Sequence, residues 1–162
     1  MDARAADLIR SLDLVEHPEG GYFREVFRSS REVACGDDRG NRSALTTIYF
    51  LVLADTHSRW HVVRSDEVWH FYEGAPLELL VVEPVRLELC RTLLGSFAAN
   101  SQRPVHVVSA GHWQAARSTG AFTLVGCSVG PGFDFADFTL LRDDPEMASR
   151  FRMALPDVEP LI

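Results

Sequence analysis

The run Trp60-His61-Val62-Val63-Arg64-Ser65-Asp66-Glu67-Val68-Trp69-His70-Phe71-Tyr72-Glu73-Gly74 decides the fold. Its two ends are rich in β-branched and aromatic residues, and Arg64-Ser65-Asp66 between them reads as a bend. Side chains of a strand alternate between its faces, so His61 and Val63 share one face before the bend. After it, Glu67, Trp69 and Phe71 share one face, and Val68, His70 and Tyr72 share the other. A histidine and a glutamate that project into one interior can bind a metal ion or divide acid/base work. The plainer alternative is a hydrogen-bonded core histidine and an ion-paired edge glutamate. Spacing alone favours that alternative.

The same period extends outward in both directions. Tyr22 to Arg28, Ala44 to Leu53, Leu77 to Val82, Val105 to Val108, Ala121 to Val129 and Phe133 to Leu140 read as strands. Val85 to Leu93 alternates, with Val85, Leu87 and Leu89 set against Arg86, Glu88 and Cys90, the pattern of a strand buried on one face. The polar, glycine-containing stretch from Arg31 to Arg42 reads as an exposed loop. Helices are expected only at the ends. One spans about 3–14, with Asp2 as cap and Ala5, Leu8, Ile9 and Leu12 at helical spacing, and stops at the turn cluster His17-Pro18-Glu19-Gly20-Gly21. The other spans 144–155, with Asp144 as cap, Pro145 at the first position and Met147, Phe151, Ala154 and Leu155 as its apolar face. Many short strands flanked by terminal helices predict an all-β sandwich or barrel. No repeat, linker or low-complexity tract divides residues 1–162, which reads as a single domain.

Composition removes several classes of function. The 162 residues carry 16 basic and 23 acidic side chains, a net charge of −7, which disfavours nucleic acid or an anionic membrane as a partner. Every basic residue is Arg and none is Lys, which excludes Schiff-base chemistry and a P-loop lysine. Cys35, Cys90 and Cys127 are widely spaced with no CxxC pair, as expected of reduced thiols in a cytoplasmic protein. The acidic N-terminus is unlike a signal peptide, and no apolar run approaches the length of a membrane span. Gly126-Cys127-Ser128-Val129-Gly130 fits the G-x-S-x-G pattern of a nucleophile elbow. It is a decoy: Pro131-Gly132 follows where a helix is required, and no histidine lies beyond His112.

Two stretches resemble the paired motifs of the cupin superfamily. In the first, His61, Glu67 and Gly74 occupy the histidine, glutamate and closing-glycine positions, while Val63 replaces the second histidine. In the second, Gly111 matches, Ser109 replaces the proline, Gln114 takes the histidine position and Ser118 the asparagine position. Two of the four usual metal-ligand positions are thus kept. The blocks His17-Pro18-Glu19-Gly20-Gly21-Tyr22-Phe23, Ser65 to Gly74 and Pro131-Gly132-Phe133-Asp134-Phe135 resemble short single-domain cupins of type five, from about Leu8 to Leu155. The resemblance implies a jelly-roll β-barrel with short terminal helices, and a homodimer.

On this reading the chain binds a small polar metabolite inside its barrel. His61 and Glu67 are the candidate catalytic pair; Tyr22, Tyr49, Trp69, His70, Gln114 and Phe133 are candidate ligand-binding residues. Arg24 and Arg64 are candidates to hold an acidic group on the ligand. The favoured chemistry is acid/base isomerisation or epimerisation of a sugar-like or carbonyl compound, with no cofactor required. The alternatives are a non-catalytic binding or sensor domain, and a metal-dependent oxygenase holding a divalent ion on His61, Glu67 and Gln114. The metal reading is the less favoured, because imidazole, carboxylate and a glutamine oxygen make a poor transition-metal set.

Overall fold

Alternating burial runs through most of the chain, and the computed structural model, which describes residues 1–97 and 101–157, folds it into two facing β-sheets. The first sheet has the order β1-β2-β5-β13-β7-β11, with β1 at Val15–Glu16, β2 at Tyr22–Arg28, β5 at Thr46–Leu53, β7 at Asp66–Gly74, β11 at Val105–Val108 and β13 at Phe122–Gly130. The second has the order β10-β9-β8-β12-β6-β14, with β6 at Ser58–Val63, β8 at Leu77–Val82, β9 at Leu89–Leu94, β10 at Gln102–Arg103, β12 at Trp113–Ser118 and β14 at Phe138–Leu140. A separate hairpin joins β3 (Glu32–Ala34) to β4 (Asn41–Ser43). The two large sheets share no hydrogen-bonded ladder, so the expected jelly roll is built as facing sheets and not as a closed cylinder.

Parity divides each strand between two cores. On β5, Phe50 and Val52 face the space between the sheets, where they meet Trp69, Leu77, Leu79, Leu94, Ala116 and Val125. Leu51 and Leu53 face outward and pack under helix α1 (Ala3–Ser11) with Ala5 and Leu8. The second sheet repeats the arrangement: Trp60, Leu80, Val82 and Trp113 turn outward against Ala148 and Phe151 of helix α2 (Pro145–Ala154). Both helices start where the sequence places their caps, with Asp2 accepting from the Arg4 and Ala5 amides and Asp144 from Met147.

Several elements differ from expectation. Val85 to Glu88 is not strand: both Glu83 carboxylate oxygens accept backbone N–H groups of Val85 and Arg86, Leu87 has φ +57°, and pairing starts at Leu89. Alternation there imitated a strand. Strand β12 is buried between β8 and β6 but has no counterpart among the predicted strands, because Ala115-Ala116 and Arg117 carry little β propensity. Phe133 to Leu140 supplies only the short β14, since Phe135–Asp137 forms a 3-10 turn capped by the Asp134 side chain. The stretch from Arg31 to Arg42 folds back as the β3–β4 hairpin. In α2 the buried residues are Ala148 and Phe151, and Ala154 is exposed.

Candidate functional site

Between the sheets lies a cavity of about 250 Å³. Its walls come from alternate residues of the first sheet: Phe23 and Glu25 of β2, Thr46, Ile48 and Phe50 of β5, Glu67 of β7, Cys127 and Val129 of β13. His61 and Val63 of β6 close the opposite side, and Phe133, Phe135 and Phe138 line it from the segment before and into β14. Arg42 of the hairpin forks onto the Asp137 carboxylate at 2.9 Å on each arm, and Arg39 reaches it at 3.6 Å. That strap fixes the 3-10 turn and hence the Phe135 and Phe138 rings beside it.

His17 and Glu19 enter the cavity from a turn that only glycine permits. Gly20 and Gly21 have φ +107° and +70°, and a Cβ on them would lie 2.2 Å from the His57 carbonyl and 2.7 Å from the Leu51 carbonyl. The turn is therefore pressed onto both sheets. The Arg59 amide donates to the Glu19 carbonyl at 2.8 Å, tying the turn to β6 two residues from His61.

The polar groups impose a proton count on one another. His61 Nδ1 lies 2.7 Å from the Arg59 carbonyl, which can only accept, so Nδ1 carries hydrogen and Nε2 of the neutral ring is an acceptor. His61 Nε2 faces Glu19 Oε2 at 3.3 Å, while Ser58 donates its hydroxyl to Glu19 Oε1 at 2.9 Å. Two acceptors meet across that 3.3 Å unless one proton lies between them. Burial pushes the Glu19 carboxyl above its ordinary value and the His61 imidazole below its own, and both directions favour the neutral pair, with the proton on the Glu19 side, over an ion pair. His17 completes the group: its Nδ1 accepts the Glu19 backbone N–H at 3.3 Å, and burial depresses its basicity. Its ring lies edge-on to Phe23 at 4.6 Å and stacks on Phe135 at 6.0 Å.

Glu67 is the second buried carboxyl. Gln114 Nε2 donates to it at 2.5 Å, and Gln114 Oε1 in turn accepts the Trp69 indole N–H at 3.0 Å. Burial raises its pKa above the ordinary carboxyl value, opposed by His61 and reinforced by Glu19. The Cys127 thiol beside it is held well above its usual range, again by burial first. It is a protonated neighbour and no nucleophile.

The structure thus gathers His61, Glu67 and Phe133 on one cavity, with Gln114 and Trp69 buried behind Glu67 as its support and not as wall. Tyr22 and Tyr49 point the other way, into the cluster under α1, because they alternate with Phe23 and Phe50. His70 sits opposite Glu67 on β7, registered against Val105 and Gly126, away from the cavity. Arg24 pairs with Asp13 and Arg64 with Asp38; the guanidinium that lines the cavity is Arg28. The sequence reading missed His17 and Glu19 as site residues. Two titratable side chains in a double-glycine turn just ahead of a strand were the available signal.

The metal alternative can be weighed on the donor set. Val63 presents hydrocarbon where a ligand belongs, the Gln114 oxygen is taken by the Trp69 indole, and Glu67 receives the Gln114 amide. Among the described residues no three His, Cys, Asp or Glu side chains group as a metal ion requires. His61, Glu67 and Gln114 as arranged do not fit a divalent ion.

Residues 6–141 match the family described as Cupin superfamily (DUF985). No curated protein matches the chain. A hypothetical protein from Leishmania major is 31% identical, covers 98% of this chain and 96% of its own, and superposes with a TM-score of 0.83. A protein from Shewanella oneidensis is 32% identical over 97% of this chain and 93% of its own, with a TM-score of 0.81. Oxalate decarboxylase from Bacillus subtilis shares the fold alone, at 14% identity and a TM-score of 0.60, over 91% of this chain and 37% of its own.

Proposed function

The chain belongs to the DUF985 family of the cupin superfamily, and from that premise we propose that its cavity binds a small metabolite and moves a proton on it. The observation that carries this reading is the Glu19–His61 contact, in which one proton must be held between two buried groups that both line the cavity. A neutral carboxylic acid against a neutral imidazole is a poised donor–acceptor pair. Glu67, the other raised carboxyl on the same cavity, supplies a second proton-transfer group. Gln114 and Trp69 fix its position. One group that takes a proton from carbon and another that returns it are what isomerisation or epimerisation next to a carbonyl needs.

Ligand size fits. About 250 Å³ holds on the order of eight water-sized volumes, which suits a metabolite of roughly a dozen heavy atoms. The apolar rings make up much of the wall, and the carboxyls and imidazoles are polar contacts a ligand would meet there. Binding without turnover is the competing outcome.

The test is deuterium wash-in. The full chain is incubated in D₂O with a panel of small aldoses, ketoses, hydroxy ketones and amino ketones, and exchange beside the carbonyl is followed by NMR. His61→Gln should lower the exchange rate by about a hundredfold or more, the scale of one general base. Ligand protection against thermal unfolding with no exchange in any compound would establish a binding protein and sink the acid/base reading.

A further inference from the structure

The cavity has an unusual combination of walls. Four carboxyl side chains line it, Glu19, Glu25, Glu67 and Asp134, against one guanidinium, Arg28. Arg28 is already occupied: it forks onto both Glu25 oxygens at 3.0 and 2.7 Å and donates to the Phe133 carbonyl at 3.1 Å. Among the described residues no guanidinium lies within salt-bridge distance of Glu19 or Glu67, and Glu19 meets only the imidazoles of His17 at 3.5 Å and His61 at 3.3 Å. Around them stands a ring of aromatic groups. Phe133, Phe135 and Phe138 approach one another with centroids 5.0 to 6.1 Å apart, and His17 meets Phe23, Phe135 and Phe138 at 4.6 to 6.0 Å.

Each half of this arrangement asks for the same occupant. Aromatic rings attract a cation through their quadrupole, and most strongly where water is excluded. Buried carboxyls stay protonated for want of a counter-charge, and a cation beside them supplies it. A sugar would find too few hydrogen-bonding groups along the phenylalanine walls, and an anion would bring the carboxyls no counter-charge.

We propose that the ligand of this cavity carries a compact organic cation, an ammonium or quaternary ammonium centre on a small apolar body, held between the rings of His17, Phe23, Phe133, Phe135 and Phe138 and the carboxyls of Glu19 and Glu67. The inference rests on the cavity being the ligand site and does not depend on turnover. Combined with proton transfer, it narrows the substrate class to amino-carbonyl compounds.

The experiment compares two molecules of one shape. Choline and its uncharged carbon isostere, 3,3-dimethylbutan-1-ol, are titrated into the full chain and followed by calorimetry and by NMR shifts. Choline should bind about tenfold tighter or more, because desolvated cation–ring and cation–carboxylate contacts act on it alone. Glu67→Gln, which keeps size and hydrogen bonding, should remove most of that preference and leave the alcohol unaffected. Equal or tighter binding of the alcohol, or no detectable choline binding, overturns the proposal. An unchanged choline affinity in both Glu19→Gln and Glu67→Gln overturns it too. Choline binding with no deuterium exchange in any amino ketone sinks the acid/base reading and leaves the cation site standing.

Discussion

Three strands of the first sheet run through two regions of the interior that behave oppositely. On β13, Val125 packs into a filled core, and Val129, four residues on and on the same face, lines the cavity. On β5, Val52 is in the filled region and Thr46 and Ile48 are at the hollow one; β7 carries Phe71 at the first and Glu67 at the second. The register agrees, since Thr46 and Glu67 both stand opposite Val129. Parity, then, decides only that a side chain points inward. Whether the space is filled depends on what the second sheet sends across. Leu77, Leu79 and Leu94 fill one region, and His61 and Val63 leave the other open.

Truncation should separate the regions most. Leu79 has no solvent exposure, and Leu79→Ala should cost about 2–5 kcal/mol, the lost transfer energy plus a new cavity. Ile48→Ala removes a similar side chain whose cavity side already lacks partner atoms, so its loss should be about half as large. Urea-unfolding midpoints measure both. Equal losses would mean that the Ile48 region is packed and the comparison fails.

Adding one methylene sharpens the same contrast along a single strand. Val125→Ile has nowhere to place the new group and should destabilise by about 1–3 kcal/mol. Val129→Ile extends into the cavity and should stay within about 0.5 kcal/mol of the parent. At this chain length 1 kcal/mol moves the melting temperature by roughly 2–4 °C, so scanning calorimetry resolves the pair.

The filled region was the more legible of the two in the sequence. β5 and β13 were legible as strands, and on β7 alternation put Glu67 and Trp69 together and His70 opposite them. Choosing His70, Tyr22 and Tyr49 as ligand contacts set chemical type above that parity. The hollow region depends on segments with no period. His17 and Glu19 arrive on a turn whose position is set by the contacts of Gly20 and Gly21 with the His57 carbonyl just ahead of β6 and the Leu51 carbonyl of β5, both distant in sequence. Phe135 and Phe138 are placed by a 3-10 turn strapped to Arg42, a contact across 95 positions of sequence. Long-range placement of irregular backbone leaves no local signature, so the cavity wall could be read as aromatic but not as a ring.

The smallest expected effect is a slope, and it is read from the hollow region. Burial lifts the folded Glu19 carboxyl above its ordinary value, near 4.5, so folding takes up a proton. The stability that uptake supplies is complete below about pH 4.5 and is lost as pH rises through the folded value. His17 and His61 act in the opposite sense. Burial lowers both, so their contribution is complete above about pH 6.5 and is lost as pH falls through their folded values. Between those limits the two trends offset, and the parent protein should show a shallow profile. Glu67, lifted by burial as well, acts in the same sense as Glu19, and Glu19→Gln deletes the Glu19 share of the balance while its amide N–H still faces His61 Nε2. Relative to the parent the variant should therefore gain stability as pH rises above about 4.5, by at most about 1.4 kcal/mol per pH unit, the limit for one proton. Urea unfolding at half-unit intervals from pH 4.5 to 7.5 measures the difference. A gap that stays constant with pH would show that Glu19 titrates alike in the folded and unfolded chain, and the shared proton on which the site reading depends would be lost with it.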